Sequence, residues 1–372
     1  MNALLREDLA ATSAAIVEEP GGYRVTPPSI AALGRAVAVA RAWKVPLWVR
    51  GSGDAPVNAP AGGVLLDMSS LDRIASVDGA TAIARVEAGC SLSALEAAAR
   101  RAGCTLGPLL PTVRAGSVGA WLAGPTRGER GVPGARRETA ALSVAAVLAD
   151  GRIAESRAAP RCATGPDLDH LALGGGGRLC VVAAAWIRLF PVAPALASGW
   201  TCASLPTALA ALERLSHDRI APARARVMAG GDVARLALAW EGLETAPMER
   251  DRAARTLASL GFTQDYEQGA NAWVREPSGG HPIEVDARWA SLRGWSQKGE
   301  MQLLGMHAGG AFATLALSDA RGAEECAALA RAAGARVIAP RRMRDAGPAW
   351  DAMGAGAVWK RLVEALGVEE QP

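Results

Sequence analysis

The stretch Trp48-Val49-Arg50-Gly51-Ser52-Gly53-Asp54 joins a short apolar strand to a tight glycine turn. Glycine takes positive φ without penalty and lets a ligand approach the main chain with no Cβ in the way. Successive amides in such a turn can form a nest for an anion, a diphosphate included. Two further segments of this kind follow. One is Ala115-Gly116-Ser117-Val118-Gly119-Ala120, continuing to Leu122-Ala123-Gly124-Pro125, and the other is Leu173-Gly174-Gly175-Gly176-Gly177. One glycine loop alone reads as an ordinary turn. A dinucleotide fingerprint of the G-x-G-x-x-G type requires strand, loop and helix in one unit. Here Gly51-Ser52-Gly53 runs into Asp54-Ala55-Pro56, and proline there opposes a long helix. Three such turns together point to one diphosphate bound by bare amides.

Upstream, Thr26-Pro27-Pro28-Ser29 is a helix start, and Ile30, Leu33 and Val37 recur at helical spacing until Pro46. Downstream, Val64 to Met68 and Ile83 to Glu87 read as strands, and Ser93-Ala94-Leu95-Glu96 as a capping box opening a helix that Gly103 closes. Leu142 to Ala149 is an apolar strand ending at the turn pair Asp150-Gly151, and Leu179 to Leu189 is another, with Pro191 and Pro194 marking a boundary. Beyond it, Ser204 and Pro206 start a helix with Leu209, Leu212 and Leu215 on one face. Leu236, Leu238 and Trp240 alternate as a half-buried strand. A helix runs from about Thr245 to Gly261, Phe312 to Leu317 is a strand, Ala320 to Ala333 a helix, and Val337-Ile338 a strand. No repeat recurs at a fixed period. Strands alternating with single helices give a small α+β sheet with helices on one face.

Composition narrows the function classes. The net charge is +3, and lysine occurs only at Lys44, Lys298 and Lys360, so arginine carries the positive charge among nearly as many acids. No basic stripe suited to nucleic acid stands out. The six cysteines and four histidines show no metal-site spacing. No apolar run is long enough to span a bilayer, and residues 1–19 lack the pattern of a secretory signal. The expectation is a cytoplasmic protein without a structural metal, with any placement at the inner membrane face coming through partners.

In order and spacing the first half resembles the PCMH-type FAD domain of the vanillyl-alcohol-oxidase superfamily. The resemblance runs from the helix and strand ending in R-G-x-G through an L-D-x-S-x-L-x-x-I stretch (Leu66, Asp67, Ser69, Leu71, Ile74) and a V-x-A-G segment (Val86, Ala88, Gly89). It continues through the second glycine loop, the strand ending in D-G, and the glycine turn leading into a strand. It is most similar to the smaller flavin subunit of bacterial glycolate oxidase, through Leu122-Ala123-Gly124-Pro125, Gly134-Ala135-Arg136-Arg137-Glu138 and Ala163-Thr164-Gly165-Pro166-Asp167-Leu168. The resemblance covers about residues 24–192. It implies an α+β chain: a PCMH-type FAD-binding fold of two α/β subdomains over 1–192, a smaller α+β cap domain over 193–340, and a C-terminal segment, 341–372, returning toward the FAD domain. Arg50, Gly51, Ser52, Gly53 and Asp54 would then line the pyrophosphate. Ala115, Gly116, Ser117 and Val118 would follow the flavin and ribityl chain, and Gly174, Gly175 and Gly177 with Val181 and Val182 would pass the isoalloxazine edge.

Several residues depart from that pattern. Asp54 stands where relatives carry Thr, Ser, Asn or a His bonded covalently to the flavin, so FAD would be non-covalent. Ala115 replaces a glycine, Cys180 replaces another, and the family's C-terminal G-x-x-N-P-G return is missing. No catalytic base is evident; the weak candidate is His307, beside Ala308-Gly309-Gly310. Three functions stay open: an FAD subunit of a glycolate- or lactate-type oxidoreductase complex, with a larger flavin subunit and an iron–sulfur subunit as partners; a flavin-free structural or assembly paralogue; and a stand-alone oxidase of another alcohol.

Overall fold

The structure, a computed structural model, describes residues 3–51, 58–107, 116–124, 137–159, 167, 169–177, 179–192, 195–220, 222, 224–230, 233–241, 245–265, 281–295, 300–307, 310–317, 328, 331–332 and 336–338. These fall into two compact units that divide after Val192. The segment 341–372, expected to return to the first unit, lies outside the described residues.

The first unit opens with helix α1 (Ala3–Ala10), which buries Leu5 and Leu9. Strands β1 (Ala15–Glu19) and β2 (Gly22–Thr26) form a hairpin turned by Gly21 at φ +108. Helix α2 (Ile30–Ala42) follows, with Ser29 accepting a bond from the Ala32 amide as N-cap. Its apolar face buries Leu33 and Val37, worth roughly 1.5–3 kcal/mol per side chain. The helix carries the chain across to β3 (Leu47–Arg50), and β4 (Gly63–Asp67) inserts beside it. The resulting sheet has the order β1-β2-β4-β3, with β2, β4 and β3 parallel.

A second sheet is antiparallel throughout: β5 (Ile74–Asp78), β6 (Ile83–Glu87), β8 (Ala141–Leu148), β9 (Ile153–Glu155) and β10 (Cys180–Arg188), in the order β5-β6-β10-β8-β9. A two-residue strand β7 (Cys104–Thr105) pairs with β11 (Phe190–Pro191) at the end of the unit. The central strands β8 and β10 are buried almost throughout, which explains their unbroken apolar runs. Helix α2 meets this sheet where Gly34 faces the Asp150-Gly151 turn; a Cβ at Gly34 would lie 2.6 Å from the Gly151 carbonyl.

One expected cap is corrected. Helix α3 (Leu92–Arg101) begins at Ser91, whose Oγ accepts from the Ala94 amide, and not at Ser93. Ser93 lies inside the first turn, bonded to the Ser91 hydroxyl. Glu96 therefore has no capping amide to reach. It turns to the end of the helix instead, where it holds the Leu106 amide at 2.7 Å, the Thr105 hydroxyl at 2.8 Å and Arg100 at 2.6 Å. Gly103, at φ +73, closes the helix as expected.

The second unit is built twice over. Strand β12 (Ala195–Cys202), helix α7 (Leu205–His217), β13 (Arg224–Gly230), β14 (Val233–Glu241), helix α8 (Ala246–Ser259) and β15 (Thr263–Gln264) give a sheet in the order β13-β14-β12-β15. Then β16 (His281–Arg288), helix α9 (Trp289–Trp295), β17 (Glu300–His307), β18 (Gly310–Leu317), helical positions at 328 and 331–332, and β19 (Arg336–Ile338) repeat that path. Their order is β17-β18-β16-β19. The edge strands β13 and β17 lie side by side. The sequence shows no fixed period because the spacing drifts: the copies begin at residues 195 and 281, but their last strands begin at 263 and 336. Leu209, Leu212 and Leu215 of α7 bury against Leu236, Leu238 and Trp240 of β14 in one apolar cluster. The alternation seen in the sequence thus marks the strand face that the helices cover.

Candidate functional site

The three glycine turns meet in the first unit. The first begins where β3 ends: Arg50 and Gly51 are described, whereas Ser52, Gly53 and Asp54 lie outside the described residues. A Cβ at Gly51 would come within 3.0 Å of the Ser117 hydroxyl and 3.4 Å from the Ala120 Cβ, so the first turn touches the second with no room for a side chain.

The second turn rests on the strand-to-helix segment after β6. The Leu92 amide bonds the Gly116 carbonyl at 3.0 Å, the Val118 amide bonds the Cys90 carbonyl at 2.9 Å, and the Gly119 amide bonds the Ala88 carbonyl at 2.7 Å. Ser117 is fully buried and caps the short helix α4 (Val118–Ala123), its Oγ accepting from the Ala120 amide at 3.2 Å. Gly89 seats this segment in turn on the stretch after β4. Its amide bonds the Leu71 carbonyl at 2.8 Å, and a Cβ there would overlap the Met68 carbonyl. The motif glycines and the L-D-x-S-x-L stretch therefore form one stacked support. Ala115 lies outside the described residues.

The third turn leaves helix α6 (Asp169–Ala172), with Gly174, Gly176 and Gly177 at φ +73, +64 and +76. The Gly174 amide bonds the Leu122 carbonyl and the Gly176 amide the Ala123 carbonyl, each at 2.8 Å. A Cβ at Gly177 would lie 3.7 Å from Val49 of β3, which closes the circle back to the first turn. Beyond it, β10 places the buried Val181 and Val182 on alternate faces of the second sheet.

These bonds amend the idea that all three turns offer bare amides. The Gly174, Gly175 and Gly176 amides donate to the chain itself, as do those of Val118, Gly119 and Ala120. The third turn clamps the second, and donors for an anion must come from the other positions. Arg50, next to Gly51 and level with Asp67 in the β3–β4 register, makes no ion pair among the described residues. A patch where main chains approach with no intervening Cβ, beside such a cation, fits a diphosphate-bearing dinucleotide.

Arg137, which the sequence offered only as part of a motif, sits in this patch. It opens helix α5 (Arg137–Ala140), is 6% exposed, and donates from Nη1 to the Gly124 carbonyl at the end of α4. A Cβ at Gly174 would come within 3.0 Å of its guanidinium. The available signal was its place in the resemblance segment Gly134-Ala135-Arg136-Arg137-Glu138; its burial shows only in the structure, where a charge is rarely buried without a task. Cys180 begins β10 with its thiol pushed up to about 11 by burial, so it stays protonated near neutral pH. His307 is the last residue of β17, in register with Gly310, and belongs to the second unit.

Comparison with known proteins agrees with this geometry. Residues 22–157 match the family described as FAD binding domain, a span that holds the first two turns and ends before the third. An FAD-linked oxidoreductase of Escherichia coli K12, YgcU, is 28% identical over 166 residues, which are 44% of this chain and 34% of that protein. D-lactate dehydrogenase of Archaeoglobus fulgidus is 32% identical over 151 residues, 40% of this chain and 34% of the relative. Alkyldihydroxyacetonephosphate synthase of Caenorhabditis elegans is 27% identical over 139 residues, 37% of this chain and 23% of the relative. The matched parts thus span about a third or less of these relatives' lengths. Among solved structures, one of alkyldihydroxyacetonephosphate synthase superposes with a TM-score of 0.73 at 16% identity, covering 92% of this chain and 74% of that one. This likeness shows the PCMH-type fold. The chain thus has the PCMH-type FAD-binding fold, and its residues 22–157 are similar to the FAD binding domain family.

Proposed function

We propose that the chain is the FAD-binding subunit of a 2-hydroxy-acid oxidoreductase of the glycolate or lactate type, acting in the cytoplasm with a larger flavin subunit and an iron–sulfur subunit. The observation that carries the reading is the convergence of Gly51, Ser117 and Gly174–Gly177 on one patch of a domain of the FAD-binding family. The likeness to a D-lactate dehydrogenase supports the substrate class, and the sequence resemblance to the smaller glycolate-oxidase flavin subunit supports the subunit role. Among the described residues no helix is long and apolar enough to cross a membrane.

When bound, FAD supplies a two-electron acceptor for the hydride leaving the alcohol carbon. In this reading the chain's residues hold and orient that cofactor. Arg50 and Gly51, continuing through Ser52, Gly53 and Asp54, take the pyrophosphate, with the Arg50 guanidinium opposing its charge. Gly116, Ser117 and Val118, with Ala115 before them, follow the ribityl chain. Gly174, Gly175 and Gly177 close over the second turn, and β10 at Val181 and Val182 passes near the ring edge. The hydroxyl proton needs a base, for which His307 is the candidate that the sequence offers.

The test is purification of the full chain, tagged, from its own cells. Stoichiometric flavin absorbance, co-purification of a second flavoprotein and an iron–sulfur protein, and reduction of a dye acceptor by glycolate or D-lactate would support the reading. A colourless chain that free FAD does not reconstitute would replace it with the flavin-free paralogue. Activity from the chain alone on an unrelated alcohol would replace it with a stand-alone oxidase.

A further inference from the structure

We propose that Arg137 is a positioning residue for the cofactor: it staples the third glycine turn to the helix of the second and so sets the shape of the FAD-binding surface. The inference rests on the reading of these turns as the FAD site. Three observations carry it. Arg137 is buried to 6% exposure, although a cation in such a place costs several kcal/mol of desolvation unless well bonded. Its Nη1 donates to the Gly124 carbonyl, the C-cap of α4, where the last-turn carbonyls lack helical partners. The same guanidinium lies so close over Gly174 that a Cβ there would fall within 3.0 Å of Nη2 and of the guanidinium carbon.

The staple works beside the two main-chain bonds Gly174 to Leu122 and Gly176 to Ala123. Together they tie positions some fifty residues apart in sequence into one rigid edge. Arginine suits the task because its planar fork can donate in plane while its flat face packs on bare main chain. Lysine, a point charge on a flexible stem, does only the first. Gly174 suits it from the other side, being at φ +73 and lacking the atom that would push the guanidinium away.

The test uses the full chain with Arg137→Met, Arg137→Lys, Gly174→Ala and the double variant Arg137→Met/Gly174→Ala. Each is freed of flavin and titrated with FAD by fluorescence quenching; the visible circular dichroism of the bound flavin is recorded, and the apo forms are compared by far-UV circular dichroism and Tm. The expected result is FAD binding weakened about tenfold or more by Arg137→Met, the scale of losing a charge-assisted hydrogen bond. Arg137→Lys should not rescue it, and the flavin dichroism should change. Gly174→Ala should weaken binding in the parent and add less when Arg137 is already Met, because its clash partner is gone. Arg137→Met binding FAD like the parent, full rescue by Lys, or strict additivity of the two changes would overturn the inference. If Gly51→Ala weakens FAD binding while no Arg137 or Gly174 variant does, the staple fails and the FAD site stands. If none of them does, both fall.

Discussion

Replacing Gly51 by alanine tests the closest approach in the site. The added methyl would stand within 3.0 Å of the Ser117 hydroxyl, 3.5 Å from the Ser117 Cβ and 3.4 Å from the Ala120 Cβ. Ser117 cannot simply rotate away: it is fully buried, and its Oγ caps α4 at the Ala120 amide. Turning the hydroxyl aside loses the cap, about 1 kcal/mol. Keeping it forces the main chain apart at an overpacking cost of about 1–3 kcal/mol. If separation of the first two turns relieves the strain, FAD affinity falls by roughly ten- to hundredfold, at about 1.4 kcal/mol per tenfold. The assay is FAD titration of the apo protein, with far-UV circular dichroism confirming that the fold survives. Ser117→Ala removes the clashing oxygen, so Gly51→Ala/Ser117→Ala should bind FAD better than the two single losses combined would allow. Parent-like binding by Gly51→Ala, or a double variant showing no such coupling, would refute the packing argument.

Glu96 makes a pH-dependent contribution. Burial alone would raise its carboxyl, but the Leu106 amide, Arg100 and Thr105 together hold it below the usual carboxylate range. A lowered folded value means its stabilisation is present above the unfolded pKa of about 4.3 and is lost as pH falls through the folded value. Glu96→Ala should cost about 1.5–3 kcal/mol near neutral pH and visibly less in acid, by urea unfolding; an equal cost at both would contradict the ion's role. Burial pushes the Cys90 and Cys180 thiols up to about 11, with Asp72 and Glu87 adding to the rise at Cys90. At mildly alkaline pH both should therefore resist alkylation in the folded protein and react at once in denaturant, as read by mass spectrometry of peptides. Rapid labelling of folded Cys180 would show that β10 opens.

Local signals were written in the chain itself. Ser29 before Ile30 and Ser204 before Leu205 marked helix starts that the fold keeps, because a cap is a bond between near neighbours. The alternation of Leu236, Leu238 and Trp240 marked a strand face, because burial of one face leaves a period of two. The glycine turns, in their order, marked the FAD binding domain. The capping-box spacing from Ser93 to Glu96 pointed to the wrong serine: the helix starts at Ser91, and Glu96 is taken instead by Arg100 and, beyond the helix, by the Leu106 amide and Thr105, contacts that the spacing does not show. The duplicated second unit was silent because its two copies share a path of hydrogen bonds and not a spacing of residues. The site's inner economy was equally silent. That Gly176 donates to Ala123, that Arg137 covers Gly174 and that Gly51 meets Ser117 are bonds and contacts across long stretches of chain. Residue type told where the main chain had to be bare; only the folding of distant segments onto one another decided which amides were spent on the protein itself.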